Sequence, residues 1–112
     1  MELIAVPTAH ATVIRVNASR IDAPSALQFK EDMRVLTECG GERFILDLAQ
    51  VTFIDSSGLG AVVASMKQLS QGQTLELAAL QPIVEKVFRL TRMDTVFAIH
   101  ANADAVCAPG EP

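Results

Sequence analysis

The chain opens with two short runs dense in apolar and β-branched residues, ELIAV and ATVIRV, separated by PTAHA. Runs of this length bounded by turn residues predict two strands joined as a hairpin. The period then changes. In RIDAPSALQFKEDMRVLTECGG, Ala26, Phe29, Met33 and Leu36 recur at helical spacing, which predicts a first amphipathic helix. Asp22 is its expected N-cap, Pro24 is tolerated in a first turn, and Gly40 and Gly41 supply a left-handed stop. RFILDL is the clearest strand, nearly all apolar, as expected of a strand buried on both faces.

The stretch 58–70 places Leu59, Val62, Val63, Met66 and Leu69 on one stripe of a second helix. QGQ breaks it, and TLELAAL reads as another strand. PIVEKVFRLTRM opens with Pro82 at a helix start, with Ile83, Val87 and Leu90 as its apolar stripe, widened by Val84 and Phe88. TVFAI predicts a last short strand, HANADAVCA a weak terminal helix, and PGEP a frayed tail from about residue 108. Strands alternating with helices in this order predict an α/β fold, a mixed and mostly parallel sheet of about five strands packed with four helices. No repeat or linker divides the chain, so residues 1–112 are expected to form one domain.

Charge narrows the functional classes. With 9 Lys plus Arg against 13 Asp plus Glu, the net charge is −4, the wrong sign for direct nucleic-acid binding. Trp and Tyr are absent, so stacking platforms for bases are scarce. Cys39 and Cys107 are too few for a disulfide framework or a zinc site, and both read as reduced thiols in a cytoplasmic protein. The amino terminus lacks the pattern of a signal peptide, and no apolar run is long enough to span a bilayer. No metal, cofactor or membrane insertion is expected.

The candidate chemistry lies in FIDSSGLGAVVA, residues 53–64, where two glycines fall in the first turn of a helix. Each costs about 1 kcal/mol relative to alanine in a helix interior. Close approach of another molecule is one physical reason to place them there. In α/β sheets the loop after a buried strand is the usual place for a site, and a helix amino terminus suits a phosphate. A hydrolase would place Ser56 in a G-x-S-x-G elbow with a histidine base. Ile54 stands where that elbow needs glycine, and neither His10 nor His100 has the context of a base. No lysine completes a Walker-type phosphate loop. A receiver domain would need an acidic pair after its first strand, and only Glu2 lies nearby; Asp47 reads as a charge at a strand end. Two readings of DSSG stay open on these residues, an ordinary helix cap and a functional serine.

ILDLAQVTFIDSSGLGAVVASMKQL closely resembles the signature of STAS-domain anti-sigma factor antagonists, and the resemblance extends over nearly the whole chain. It implies a non-enzymatic partner-switching protein of the STAS fold. The unphosphorylated form would bind an anti-sigma factor of the GHKL ATPase fold and so free the sigma factor. That partner would also be the serine kinase that phosphorylates the antagonist and releases it, and a PP2C-type phosphatase would reset it. The matching phosphorylated serine is Ser56. Asp55, Ser57, Gly58, Leu59 and Gly60 complete the motif, and Asp22 matches an aspartate beside the phosphorylation site. On this reading Gly58 and Gly60 leave room for the kinase, while Ser57, one residue further in, is expected to cap the helix. Ser65, Lys67 and Gln68 are candidate partner-facing residues, with a solvated helix face as the plainer alternative. Arg20 stands where the family commonly carries an acid, and RMDT replaces a Ser-Gly-Leu type turn. A STAS subunit of another assembly, such as a lipid transporter or signalling scaffold, is the alternative, with Ser56 then only a cap.

Overall fold

The computed structural model describes residues 1–103. The expected hairpin is present: β1 (Glu2–Pro7) pairs antiparallel with β2 (Thr12–Asn17). The chain then makes the two-residue β3 (Arg20–Ile21) and enters α1 (Ala23–Glu38). Cys39 caps that helix, and Gly40 and Gly41 follow at φ +118° and +110°, values that L side chains rarely adopt. The sheet continues with β4 (Arg43–Asp47), β6 (Thr74–Ala78) and β7 (Ile99–His100), all parallel to β2, in the order β1-β2-β4-β6-β7. Between them lie β5 (Phe53–Ile54), α2 (Ser56–Lys67) and α3 (Pro82–Leu90).

Alternation along the central strands assigns each side chain to a layer. Ile14 and Val16 of β2, Phe44 and Leu46 of β4, and Leu75 and Leu77 of β6 share one core with α1, α2 and α3. The three helices therefore lie against the same face. Ile45 points the other way and is equally buried, in a smaller cluster with Ala11, Val13 and Ala78, against which Ala103 packs. Burial on both faces explains why RFILDL has no polar alternation.

Several expectations are corrected. The stripe of α3 turns toward the core through Val84 and Phe88, whereas Ile83 and Leu90 are 64% and 72% exposed. The helix is apolar over more than one face, and Phe88 meets Phe97 edge-on at 6.1 Å, which fixes the rotation. TVFAI is not a strand along its length: Met93–Thr95 is a 3-10 turn, Phe97 is buried, and pairing begins only at Ile99. On α2 the deepest stripe is Gly58, Ala61, Val62 and Ser65, with Leu59, Val63, Met66 and Leu69 only partly buried beside it. Of the expected terminal helix, His100 belongs to β7, and residues from 104 onward, with Cys107, lie outside the described residues.

Candidate functional site

The site is built by a pairing too short to show in the hydropathy pattern. β3 and β5 form a separate two-stranded parallel sheet, with Arg20 opposite Phe53 and Ile21 opposite Ile54. The Ser19 carbonyl accepts from the amides of Thr52 (2.8 Å) and Phe53 (3.2 Å), extending the junction by backbone contacts. Each strand ends one residue before a helix. The parallel register therefore brings the two N-cap residues, Asp22 and Asp55, side by side at the mouths of α1 and α2.

Asp55 serves both helices. Its Oδ1 accepts from the Gly58 amide at 2.7 Å, and its Oδ2 accepts from the Ala23 amide at 3.0 Å. One carboxylate thus satisfies an orphan donor in the first turn of each helix. Asp22 makes a reciprocal contact with Ser25: its amide donates to Ser25 Oγ at 3.1 Å, and that hydroxyl donates to Asp22 Oδ1 at 3.0 Å. The Arg20 guanidinium donates to Asp22 Oδ2 at 2.9 Å and lies 4.1 Å above the centre of the Phe53 ring. The Arg20 hydrogen bond, followed by that of Ser25, holds the Asp22 carboxyl below its ordinary pKa. Arg20, the departure from the resembled pattern, is thereby occupied as a strut between β3 and β5.

Ser56 and Ser57 occupy the first two positions of α2, both exposed, and neither hydroxyl makes a hydrogen bond among the described residues. The expectation that Ser57 caps the helix is corrected: Asp55, with a longer reach from the N-cap position, already holds the amide a serine would take. The glycines divide. A Cβ on Gly58 would fall 1.9 Å from the Ile21 carbonyl oxygen, whereas one on Gly60 would meet nothing within 4 Å. The close approach that Gly58 allows is therefore internal, between α2 and β3. Only Gly60 opens onto free space, and Leu59 is half-buried against the core.

Ser65 does not face a partner. It is fully buried, and its hydroxyl donates to the Ala61 carbonyl at 2.8 Å; a helical serine that bonds its preceding turn hides its polarity as a threonine would. Lys67 and Gln68 are exposed, and the Gln68 side chain donates to the Lys30 carbonyl at 3.2 Å, tying α2 to α1. His100 is engaged with Glu76 at 2.6 Å, and His10 lies in the β1–β2 turn, next to the amino ends of the parallel strands. Neither histidine is thus placed beside Ser56. Among the described residues no cluster of His, Cys, Asp and Glu could hold a metal ion, and no helix is long and apolar enough to cross a membrane. Ala23 and Arg20 are structural parts of this site that the sequence pattern does not mark; the signal it offers is the recurrence of an apolar residue followed by aspartate, Ile21-Asp22 and Ile54-Asp55, before each helix.

Among the described residues, a mixed sheet carries α1, α2 and α3 on one face, with two aspartate-capped helix mouths drawn together by β3 and β5. Residues 3–106 match the STAS domain family, and the chain belongs to it. It is 33% identical over 93 residues to the anti-sigma-B factor antagonist of Bacillus subtilis, covering 81% of this chain and 84% of that protein. With the anti-sigma-B factor antagonist of Listeria monocytogenes it shares 34% identity over 83 residues, 73% of each chain. The crystal structure of an anti-sigma factor antagonist from Mycobacterium paratuberculosis superposes with a TM-score of 0.83 at 20% identity, over 94% of this chain and 89% of that one.

Proposed function

We propose that this protein is an anti-sigma factor antagonist that works as a binding module switched by phosphorylation of Ser56. The unphosphorylated form binds an anti-sigma factor that is also a GHKL-type serine kinase, and the sigma factor is freed. The kinase phosphorylates Ser56 and is released; a PP2C-type phosphatase restores the binding form. The reading places the protein in the cytoplasm as one domain, acting on transcription through a protein and not through DNA.

One observation carries this reading. The Ser56 hydroxyl is exposed and unbonded immediately after Asp55, whose carboxylate already does the capping. The serine is thus dispensable to the fold and open to a kinase. Asp55, Ser57, Gly58, Leu59, Gly60 and Asp22 fall into two groups on this account. Ser57 and Gly60 present accessible surface to the partner, while Asp55, Asp22, Gly58 and Leu59 shape that surface from within. A phosphate on Ser56 adds about −1.5 to −2 charges beside two carboxylates, which alters a docking face without removing a contact that holds the fold.

Affinity capture from a lysate of the native cells, with and without ATP, tests it. The expected result is a GHKL-type kinase retained without ATP and lost with it, and retained in both conditions by Ser56→Ala. Retention by wild type that ATP leaves unchanged, with no phosphate on Ser56, would contradict the proposal.

A further inference from the structure

Between α1 and α2, beside the serine turn, runs a groove of about 380 Å³. Small residues keep its floor low: Ala23 and Ala26 on α1 face Gly60 and Ala61 on α2, with Ser57 at the mouth. It is bridged at one end by the Asp55–Ala23 bond and at the other by the Gln68–Lys30 bond. Its rim carries one strongly exposed apolar side chain, Leu27, at 76% exposure, and its wall carries one cation, Lys30.

Lys30 has no acid to answer it. On its own helix Gln28 donates to Asp32 at 2.8 Å, and Arg34 engages both Glu31 and Glu38. The facing helix, SSGLGAVVASMK, contains no acidic residue. Asp55, the carboxylate at the groove's end, is taken by two backbone amides. No carboxylate among the described residues therefore pairs with Lys30, in a chain that carries more acids than bases.

We propose that this groove receives an acidic side chain of the kinase partner, with Lys30 as the residue that selects it and Leu27 and Ala26 packing along its aliphatic stem. The proposal rests on the partner reading above and adds a regulatory consequence to it. The partner's carboxylate would enter past Ser57, so a phosphate on the adjacent Ser56 would confront it with like charge. Release then follows from repulsion between two anions at one groove mouth, and Lys30 serves as a specificity determinant outside the phosphorylated motif.

The test uses the GHKL-type kinase captured by the unphosphorylated chain, purified, and titrated against wild type, Lys30→Glu, Lys30→Met, Leu27→Asp and Lys86→Glu. Lys86 is an exposed cation on α3, so its reversal controls for net charge. The expected result is a loss of affinity of about tenfold or more for Lys30→Glu, a smaller loss for Lys30→Met and a loss for Leu27→Asp. Lys86→Glu should change affinity by less than about twofold, with all thermal midpoints near wild type. Reversal of one surface carboxylate of the kinase to lysine should restore binding to Lys30→Glu. Equal effects of Lys30→Glu and Lys86→Glu, or full binding by Lys30→Glu, would overturn the groove assignment and leave the partner reading intact. Failure of wild type to bind any such kinase would overturn both.

Discussion

Asp55 and Gly58 carry constraints at the residue scale that their neighbours do not share. Asp55 spends both carboxylate oxygens on helix amides, and loss of an N-cap costs about 0.5–2 kcal/mol. Asp55→Ala should therefore lower stability by roughly 1–2 kcal/mol. Ser57→Ala should stay within about 0.5 kcal/mol of wild type, as for exposed positions away from special features. Urea unfolding of the two variants checks this, and a larger loss in Ser57→Ala than in Asp55→Ala would refute the capping assignment. The two glycines offer a second contrast. Gly58→Ala drives a methyl into the Ile21 carbonyl, and overpacking against backbone costs about 1–3 kcal/mol or more. Gly60→Ala enters open space and should gain up to about 1 kcal/mol from helix propensity. If both substitutions shift the denaturation midpoint the same way, the close contact between α2 and β3 is not what fixes Gly58. From the sequence, the glycine pair was legible as a place of close approach, but both were assigned to a partner. A one-dimensional pattern does not show which side of a helix meets the fold's own backbone.

At the scale of elements, the strongly patterned pieces were legible and the short ones were not. β4 announced itself by an unbroken apolar run, and α1 by its spacing, its aspartate cap and its paired glycines. β3 and β5 are two residues each, a single period of strand alternation and too short for a repeat to show, yet they create the site by aligning Asp22 with Asp55. α3 misled because it is apolar over two adjacent stripes, and only the fit of Phe88 against Phe97 chooses between them. On the sheet face away from the helices, β4, β6 and β7 are cross-linked by Glu76, which accepts from Arg43 at 2.7 and 2.8 Å and contacts His100. The Arg43 bonds hold the Glu76 pKa below its ordinary value, partly opposed by burial and helped by His100. A depressed folded-state pKa stabilises above the unfolded value and ceases to do so as pH falls through the folded one. Wild type should thus exceed Glu76→Gln in stability near neutrality, and the gap should narrow below about pH 4.3, the ordinary glutamate value. Urea midpoints of both proteins at neutral and acid pH measure it; a gap that does not change with pH would rule out this ion-paired carboxylate as the source.

Across the whole molecule, the groups that hold the fold are separate from the Ser56 hydroxyl on which the proposed switch turns. The buried core, the two capping aspartates and the β3–β5 junction make no use of the Ser56 hydroxyl. Ser56→Asp should therefore leave the far-ultraviolet circular dichroism and thermal midpoint close to wild type, while binding to the kinase partner falls sharply. A variant that melts far below wild type would make the loss of binding a folding effect. The family was legible in the sequence because the DSSGLG motif sits on a strand–turn–helix that the chain's pattern independently supports. The direct measurement of the proposed switch is calorimetric titration of the proposed kinase partner, purified, with the chain before and after stoichiometric phosphorylation, with the modified residue mapped by peptide mass spectrometry. The account predicts phosphate on Ser56 alone, an unchanged melting temperature, and affinity reduced by about a hundredfold or more, roughly 2.7 kcal/mol. Phosphate on Ser57 in place of Ser56, or a phosphorylated chain that binds as tightly as the unmodified one, would contradict it.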